Sequence, residues 1–80
     1  MSIERVAIIG LGLIGSSIAR AVKARLPGIA VTGHDLSAEV RGEARSLGLC
    51  DRVTDDAADA VTDADLVILA VPVGGMADAA

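Results

Sequence analysis

Residues 6–15 read V-A-I-I-G-L-G-L-I-G, which is a run of four apolar residues followed by three glycines with the spacing G-x-G-x-x-G. The run predicts a buried strand, and Gly10, Gly12 and Gly15 predict a sharp turn from that strand into a helix. The first glycine permits the tight turn, the second lets the backbone approach a pyrophosphate, and the third lets the helix pack closely on the sheet. This stretch therefore predicts a dinucleotide site.

The residues after the glycines continue the pattern as a helix and a second strand. Residues 16–26 predict a helix that Pro27-Gly28 ends, and residues 29–34 predict a β-branched strand that finishes at Asp35. On that helix four apolar residues are expected to face inward and two basic residues outward, namely Ile14, Ile18, Ala21 and Val22 against Arg20 and Lys23. An acid about 20 residues after the glycines is expected to accept hydrogen bonds from the adenosine ribose, which predicts NAD as the cofactor.

The second half of the chain repeats the alternation of strand and helix. Ser37 is expected to cap a helix over residues 38–47, with Val40, Ala44 and Leu47 facing inward and Gly48 ending the helix. A third strand is expected at Arg52 to Thr54, then a short helix through Val61 capped by either Asp55 or Asp56. Residues 66–71 (L-V-I-L-A-V) are continuously apolar and predict a fourth strand buried on both faces.

Right-handed crossovers arrange these four strands in the order 3-2-1-4, the first half of a Rossmann-type, doubly wound parallel α/β sheet. The glycine turn and the loop at Pro72 would then face each other across the cofactor. The predicted cofactor-binding residues are Gly10, Leu11, Gly12, Leu13, Ile14, Gly15, Asp35, Val71, Pro72 and Val73. Because Leu36 follows Asp35 directly and Arg41 is expected to face solvent, we expect NAD to be preferred over NADP.

Composition excludes several other classes of protein. The 80 residues carry a net charge of −4 and no Phe, Tyr or Trp, which argues against a nucleic-acid surface and excludes aromatic stacking on bases. No apolar run is long enough for a membrane span. The segment from Arg5 to Ala21 imitates a secretory signal, but Glu4 dilutes the charged start and the three glycines are better explained by a turn. A single cysteine, Cys50, favours the cytoplasm and packing as a small hydrophobe.

Other polar residues have ordinary structural interpretations. The aspartates between positions 51 and 65 lack the spacing of a calcium loop, so we expect caps and turns and no metal site. His34 is expected at the end of the second strand, beside the adenosine site rather than in catalysis. Ser16 is expected either to reach a phosphate or to be a plain first-turn serine.

Several segments together resemble a known family. I-I-G-L-G-L-I-G-S-S, G-H-D, L-G-L-C-D and D-A-D-L-V-I-L-A-V-P-V are similar to the start of the prephenate and arogenate (cyclohexadienyl) dehydrogenases, which have a 6-phosphogluconate dehydrogenase-like fold. Cys50 departs from the aliphatic residue expected there. The resemblance implies NAD-dependent oxidative decarboxylation of prephenate or arogenate in tyrosine biosynthesis, in a homodimer. It also implies that residues 1–80 are the N-terminal part of the cofactor domain, with a helical dimerisation domain and every catalytic residue lying beyond them.

Two alternatives remain open from the sequence. One is another dehydrogenase of the same superfamily, acting on a β-hydroxyacid, an imine or a hydroxyacyl substrate. The other is a regulatory domain that senses NAD without chemistry, against which the loop Pro72-Val73-Gly74 argues, because dehydrogenases use that loop to shape the nicotinamide end of the site.

Overall fold

The chain folds as four parallel strands with connecting helices. A computed structural model describes residues 3–70. The elements are β1 (Arg5–Ile9), α1 (Leu13–Arg25), β2 (Ala30–His34), α2 (Ala38–Leu47), β3 (Arg52–Thr54), α3 (Ala57–Val61) and β4 (Leu66–Leu69). All strand pairs are parallel, and the order is β3-β2-β1-β4. The predicted strand order and Rossmann-type class are confirmed.

Local chemistry explains where α2 and α3 begin and end. The Ser37 side chain accepts a hydrogen bond from the Val40 N–H and caps α2, and Gly48 ends that helix with a left-handed φ of 62°. The α3 cap is Asp56, whose carboxylate accepts from the Ala58 N–H at 3.0 Å. The sequence left Asp55 and Asp56 open as alternatives, and the structure selects the second.

The apolar core is formed where α1 and α2 pack on the sheet. Ile8 and Val31, on neighbouring strands, are fully buried. The rest of this buried cluster comprises Val6, Leu11, Ala19, Ala44, Leu49 and Cys50. This core holds β1 beside β2, so the carboxyl ends of the two strands lie together. The crevice of an open parallel sheet lies at that end of its strands.

Four predicted burial assignments are wrong. Ile14 and Ala21 are exposed, because α1 turns Gly15 and Ala19 to the sheet and leaves Ile18 and Val22 half-buried. Leu47 is also exposed, and Leu49, which follows the Gly48 turn, enters the core in its place. The fourth strand is not buried on both faces. Leu66, Val67 and Leu69 are exposed, because β4 pairs only with β1 among residues 3–70 and forms a sheet edge there.

Candidate nucleotide-binding site

The glycine turn has the geometry that its spacing predicts. Gly10 has a φ of 103°, which side chains rarely adopt, and its N–H donates to the His34 carbonyl at 2.7 Å. A Cβ atom at Gly15 would lie 1.8 Å from the Gly10 carbonyl oxygen, so only glycine allows this contact between turn and helix. A Cβ at Gly12 would meet nothing within 4 Å. The turn is therefore closed on the side of Gly15 and open at Gly12.

The first turn of α1 is free of side-chain caps and of acidic residues. Gly12 occupies the N-cap position, and its missing side chain leaves the N–H groups of the first turn without a capping acceptor. Ser16 does not fill that role either, and its hydroxyl instead donates to the Leu11 carbonyl at 2.8 Å. This hydrogen bond favours the structural interpretation of Ser16 over a phosphate contact. A 13-residue helix that begins in this way offers partial positive charge and N–H donors to an anion.

Asp35 joins the tip of β2 to the glycine turn. One carboxylate oxygen, Oδ2, accepts from the Leu11 N–H at 2.8 Å, and the other, Oδ1, accepts from the Ser37 N–H at 2.9 Å. Since each carboxylate oxygen has two lone pairs, both can accept a further hydrogen bond from a ligand hydroxyl. Asp35 is thus held rigidly beside the turn while keeping acceptor capacity.

Arg41 contradicts the expectation that it faces solvent. Its side chain is 16% exposed. Nη1 donates to the carbonyls of Asp35 at 2.7 Å and Leu36 at 3.2 Å, and Nε donates to an Asp55 carboxylate oxygen at 3.2 Å. The reason is geometric: α2 begins directly after β2, so the long side chain from its first turn reaches back to the strand end. Arg41 therefore supports the peptide groups that carry Asp35.

A cavity of about 640 Å³ lies between the glycine turn and the strand ends. Five of the predicted cofactor-binding residues line it, namely Gly10, Gly12, Leu13, Ile14 and Asp35. Leu11 and Gly15 lie buried beneath the turn. Val71, Pro72 and Val73 fall outside the described residues. The remaining lining residues, which the sequence did not single out as ligand contacts, are Ile9, His34, Leu36, Ala57 and Ala70.

His34 and Leu36 flank Asp35 and line the cavity in different ways. Leu36 is 94% exposed and offers an aliphatic surface. His34 is 5% exposed, and its Nδ1 atom lies 2.9 Å from the Thr54 carbonyl oxygen on β3. Adjacency to Asp35 was a sequence signal for both residues. Only the pairing of β2 with β3 shows that the His34 ring is buried and bonded to Thr54, while Leu36 stays exposed.

The acidic residues of the second half have structural roles. Asp51 accepts from the Val31 N–H at 2.7 Å, and Asp65 accepts from the N–H groups of Glu4 and Arg5. The two backbone hydrogen bonds lower the pKa of Asp65, and Arg45 with Arg41 lowers the pKa of Asp55. Among residues 3–70, no group of three or more His, Cys, Asp or Glu is placed to hold a metal ion.

Cys50 lies in the core rather than in the cavity. Burial raises the pKa of its thiol, which disfavours the reactive thiolate.

Within the described part of the chain, no helix is long and apolar enough to cross a membrane.

Comparison with known proteins gives a consistent set of relatives. A sequence model of the family described as "Prephenate dehydrogenase, nucleotide-binding domain" matches residues 18–80. Over 73 residues the chain is 59% identical to a cyclohexadienyl dehydrogenase of Zymomonas mobilis, covering 91% of this chain and 25% of that protein. Over 70 residues it is 41% identical to a prephenate dehydrogenase of Bacillus subtilis, covering 88% of this chain and 19% of that protein. The chain thus spans a quarter or less of these relatives.

A solved structure is similar over nearly the whole chain. It is the prephenate dehydrogenase from A. aeolicus in complex with hydroxyphenyl propionate and NAD⁺. The similarity has a TM-score of 0.81 at 28% identity and covers 98% of this chain and 28% of that one.

Proposed function

Because this chain belongs to the family of prephenate dehydrogenase nucleotide-binding domains, we propose that it holds NAD for the oxidative decarboxylation of prephenate or arogenate in tyrosine biosynthesis. One observation carries the proposal: an uncapped helix N-terminus, an open glycine and a fixed carboxylate converge on one cavity. Each of these features matches one part of a dinucleotide.

The residues present fit the cofactor part by part. The open space at Gly12 admits the pyrophosphate, and the first-turn N–H groups of α1, beginning at Leu13, donate to its oxygens. Asp35 accepts from the ribose hydroxyls, and the apolar cavity wall at Leu36 packs on the base. NAD, when bound, supplies the acceptor for the substrate's hydride. The contribution of this chain is to orient that acceptor and hold its charged part.

The chain's limited share of its relatives supports a larger protein around it. We propose that residues 1–80 form the N-terminal part of the cofactor domain, and that the other part, the catalytic residues and a helical dimerisation domain lie further along the polypeptide. The apolar edge at β4, where Leu66, Val67 and Leu69 are exposed, supports a continuing sheet. We also propose that the complete protein is a cytoplasmic homodimer. It acts on a small molecule and binds neither nucleic acid nor a membrane.

The test is NAD reduction by the complete polypeptide with prephenate and with arogenate, followed through the absorbance of NADH. We expect turnover with at least one of the two substrates, and none from residues 1–80 alone. Absence of turnover with both, in a folded protein that binds NAD, would contradict the assigned substrates. Turnover by residues 1–80 alone would show that the catalytic residues do not lie beyond them.

A further inference from the structure

The wall of the cavity contains one buried ring, the imidazole of His34, that has no function in the proposed binding of NAD. His34 is 5% exposed and lies on β2 one residue before Asp35. Its Nδ1 atom lies 2.9 Å from the Thr54 carbonyl oxygen. Since a carbonyl can only accept, Nδ1 must carry the proton of this hydrogen bond. In the neutral ring, Nε2 is therefore an acceptor with a free lone pair.

The position of Nε2 follows from two further observations. Among residues 3–70 it has no hydrogen-bond partner, and no side-chain nitrogen or oxygen there is both sealed from solvent and unpaired. The small accessible part of His34 must therefore include Nε2. His34 itself lines the cavity, and we assign this accessible part to the cavity wall.

The surroundings make Nε2 a distinctive group in this part of the cavity. Apart from Asp35, the other described lining side chains are apolar or glycine. Asp35 is engaged by two backbone N–H groups and is assigned to the ribose. A fixed acceptor in an otherwise apolar wall selects a ligand edge that carries a donor.

We propose that His34 is a specificity-determining residue, whose Nε2 accepts a hydrogen bond from the exocyclic 6-amino group of adenine. The proposal rests on the proposed NAD function. It adds that the site distinguishes adenine from a purine with an oxygen at the same position. With a 6-oxo purine, two acceptors would face each other, and the bound purine would cover the Nε2 lone pair without giving it a donor.

The experiment compares NAD with nicotinamide hypoxanthine dinucleotide, which carries an oxygen in place of the 6-amino group. Both dissociation constants are measured by calorimetry on the complete polypeptide, without substrate. We expect the wild type to bind NAD about tenfold more tightly than the hypoxanthine analogue. Equal affinities would overturn the proposal without any variant. Failure to bind either dinucleotide would instead refute the proposed NAD function.

Two variants then separate recognition from structure. His34→Asn keeps an N–H donor near the position of Nδ1, and so the hydrogen bond to Thr54, but removes the acceptor at Nε2. His34→Gln can place its side-chain oxygen near the position of Nε2. We expect the ratio of the two dissociation constants to fall to about 1 in His34→Asn and to stay above it in His34→Gln. A ratio that stays at the wild-type value in a folded His34→Asn, as judged by circular dichroism, would overturn the proposal.

Discussion

Alanine substitutions at Gly12 and Gly15 should separate ligand binding from folding. The two glycines lie in one turn, three residues apart, but their surroundings differ. A Cβ at Gly15 would lie 1.8 Å from the Gly10 carbonyl oxygen and 2.9 Å from the carbonyl carbon. A Cβ at Gly12 has no heavy atom within 4 Å. The same added methyl group thus meets backbone at one position and open space at the other.

The size of each effect follows from these contacts. In Gly15→Ala both clashing atoms belong to fixed backbone, so turn and helix must move apart by roughly 1 Å, and we expect a loss of about 3 kcal/mol in the free energy of unfolding. In Gly12→Ala the helix exchanges an N-cap glycine for alanine, a poorer cap, which costs under about 1 kcal/mol. Its methyl group occupies the space of the pyrophosphate, and we expect NAD to bind at least about a hundredfold more weakly.

The assay pairs urea unfolding with calorimetric titration of NAD, on the complete polypeptide. Gly12→Val serves as a stronger form of the first variant and should abolish binding while leaving the helical circular dichroism unchanged. Wild-type affinity for NAD in Gly12→Ala would refute the assignment of this turn to the pyrophosphate. Wild-type stability in Gly15→Ala would refute the close contact between α1 and the turn.

Three further predictions concern the surroundings of the site. Arg41→Met should lower the affinity for NAD about tenfold in titrations, because the carbonyls of Asp35 and Leu36 lose their donor. Arg45→Met is the control: it removes hydrogen bonds only to Val53 and Asp55 and should leave the affinity unchanged. Equal losses in the two variants would contradict this. Asp65 has a lowered pKa, so its stabilisation is present above the ordinary value of 3.8 and is lost as pH falls through the lower folded value. Melting temperatures measured between about pH 5 and pH 3 should therefore fall less steeply in Asp65→Asn than in wild type or in Glu43→Gln, a control at an exposed carboxylate. Parallel curves of melting temperature against pH in all three proteins would contradict this role of Asp65. The buried Cys50 thiol, whose raised pKa disfavours the thiolate, should react with iodoacetamide only after unfolding, as mass spectrometry can show; rapid labelling of the native protein would count against its burial.

The sequence predicts the fold well because its signals are local and repeated. Gly10, Gly48 and Ser37 each occupy the position that their backbone or capping chemistry requires. The strand order follows from the alternation of elements and the handedness of their crossovers. Burial was less predictable. Periodicity places Ile14 on an inward face of α1, but the helix turns Gly15 and Ala19 to the sheet and leaves Ile14 exposed.

The site was predictable where one residue type fits one geometry, and less so where long side chains meet. The glycines and Asp35 come together as their spacing indicates. The sequence predicts a solvent-facing Arg41, because its bond to the Asp35 carbonyl depends on how α2 follows β2. The acceptor on His34 depends on a bond to Thr54, which is 20 residues away in the sequence. Neither contact has a period or spacing that the sequence could reveal.

The assignment of this site to NAD is tested by the ratio of kcat/KM for NAD to that for NADP, measured in wild type and in Asp35→Ser. Asp35 also accepts a hydrogen bond from the Leu11 N–H in the glycine turn, so its loss should weaken the binding of both cofactors at the pyrophosphate that they share. Taking the ratio cancels this common effect. We expect wild type to prefer NAD and Asp35→Ser to lower the ratio about ten- to a hundredfold, because the ribose loses a charged acceptor and the 2′-phosphate loses a repulsive neighbour. In Asp35→Ser, the neighbouring Arg41 should add to the improved use of NADP by attracting the 2′-phosphate. The double variant Asp35→Ser with Arg41→Met should therefore raise the ratio of NAD to NADP part of the way back toward the wild-type value. A wild-type preference for NADP, or a ratio unchanged in Asp35→Ser, would contradict the assignment of this site to NAD.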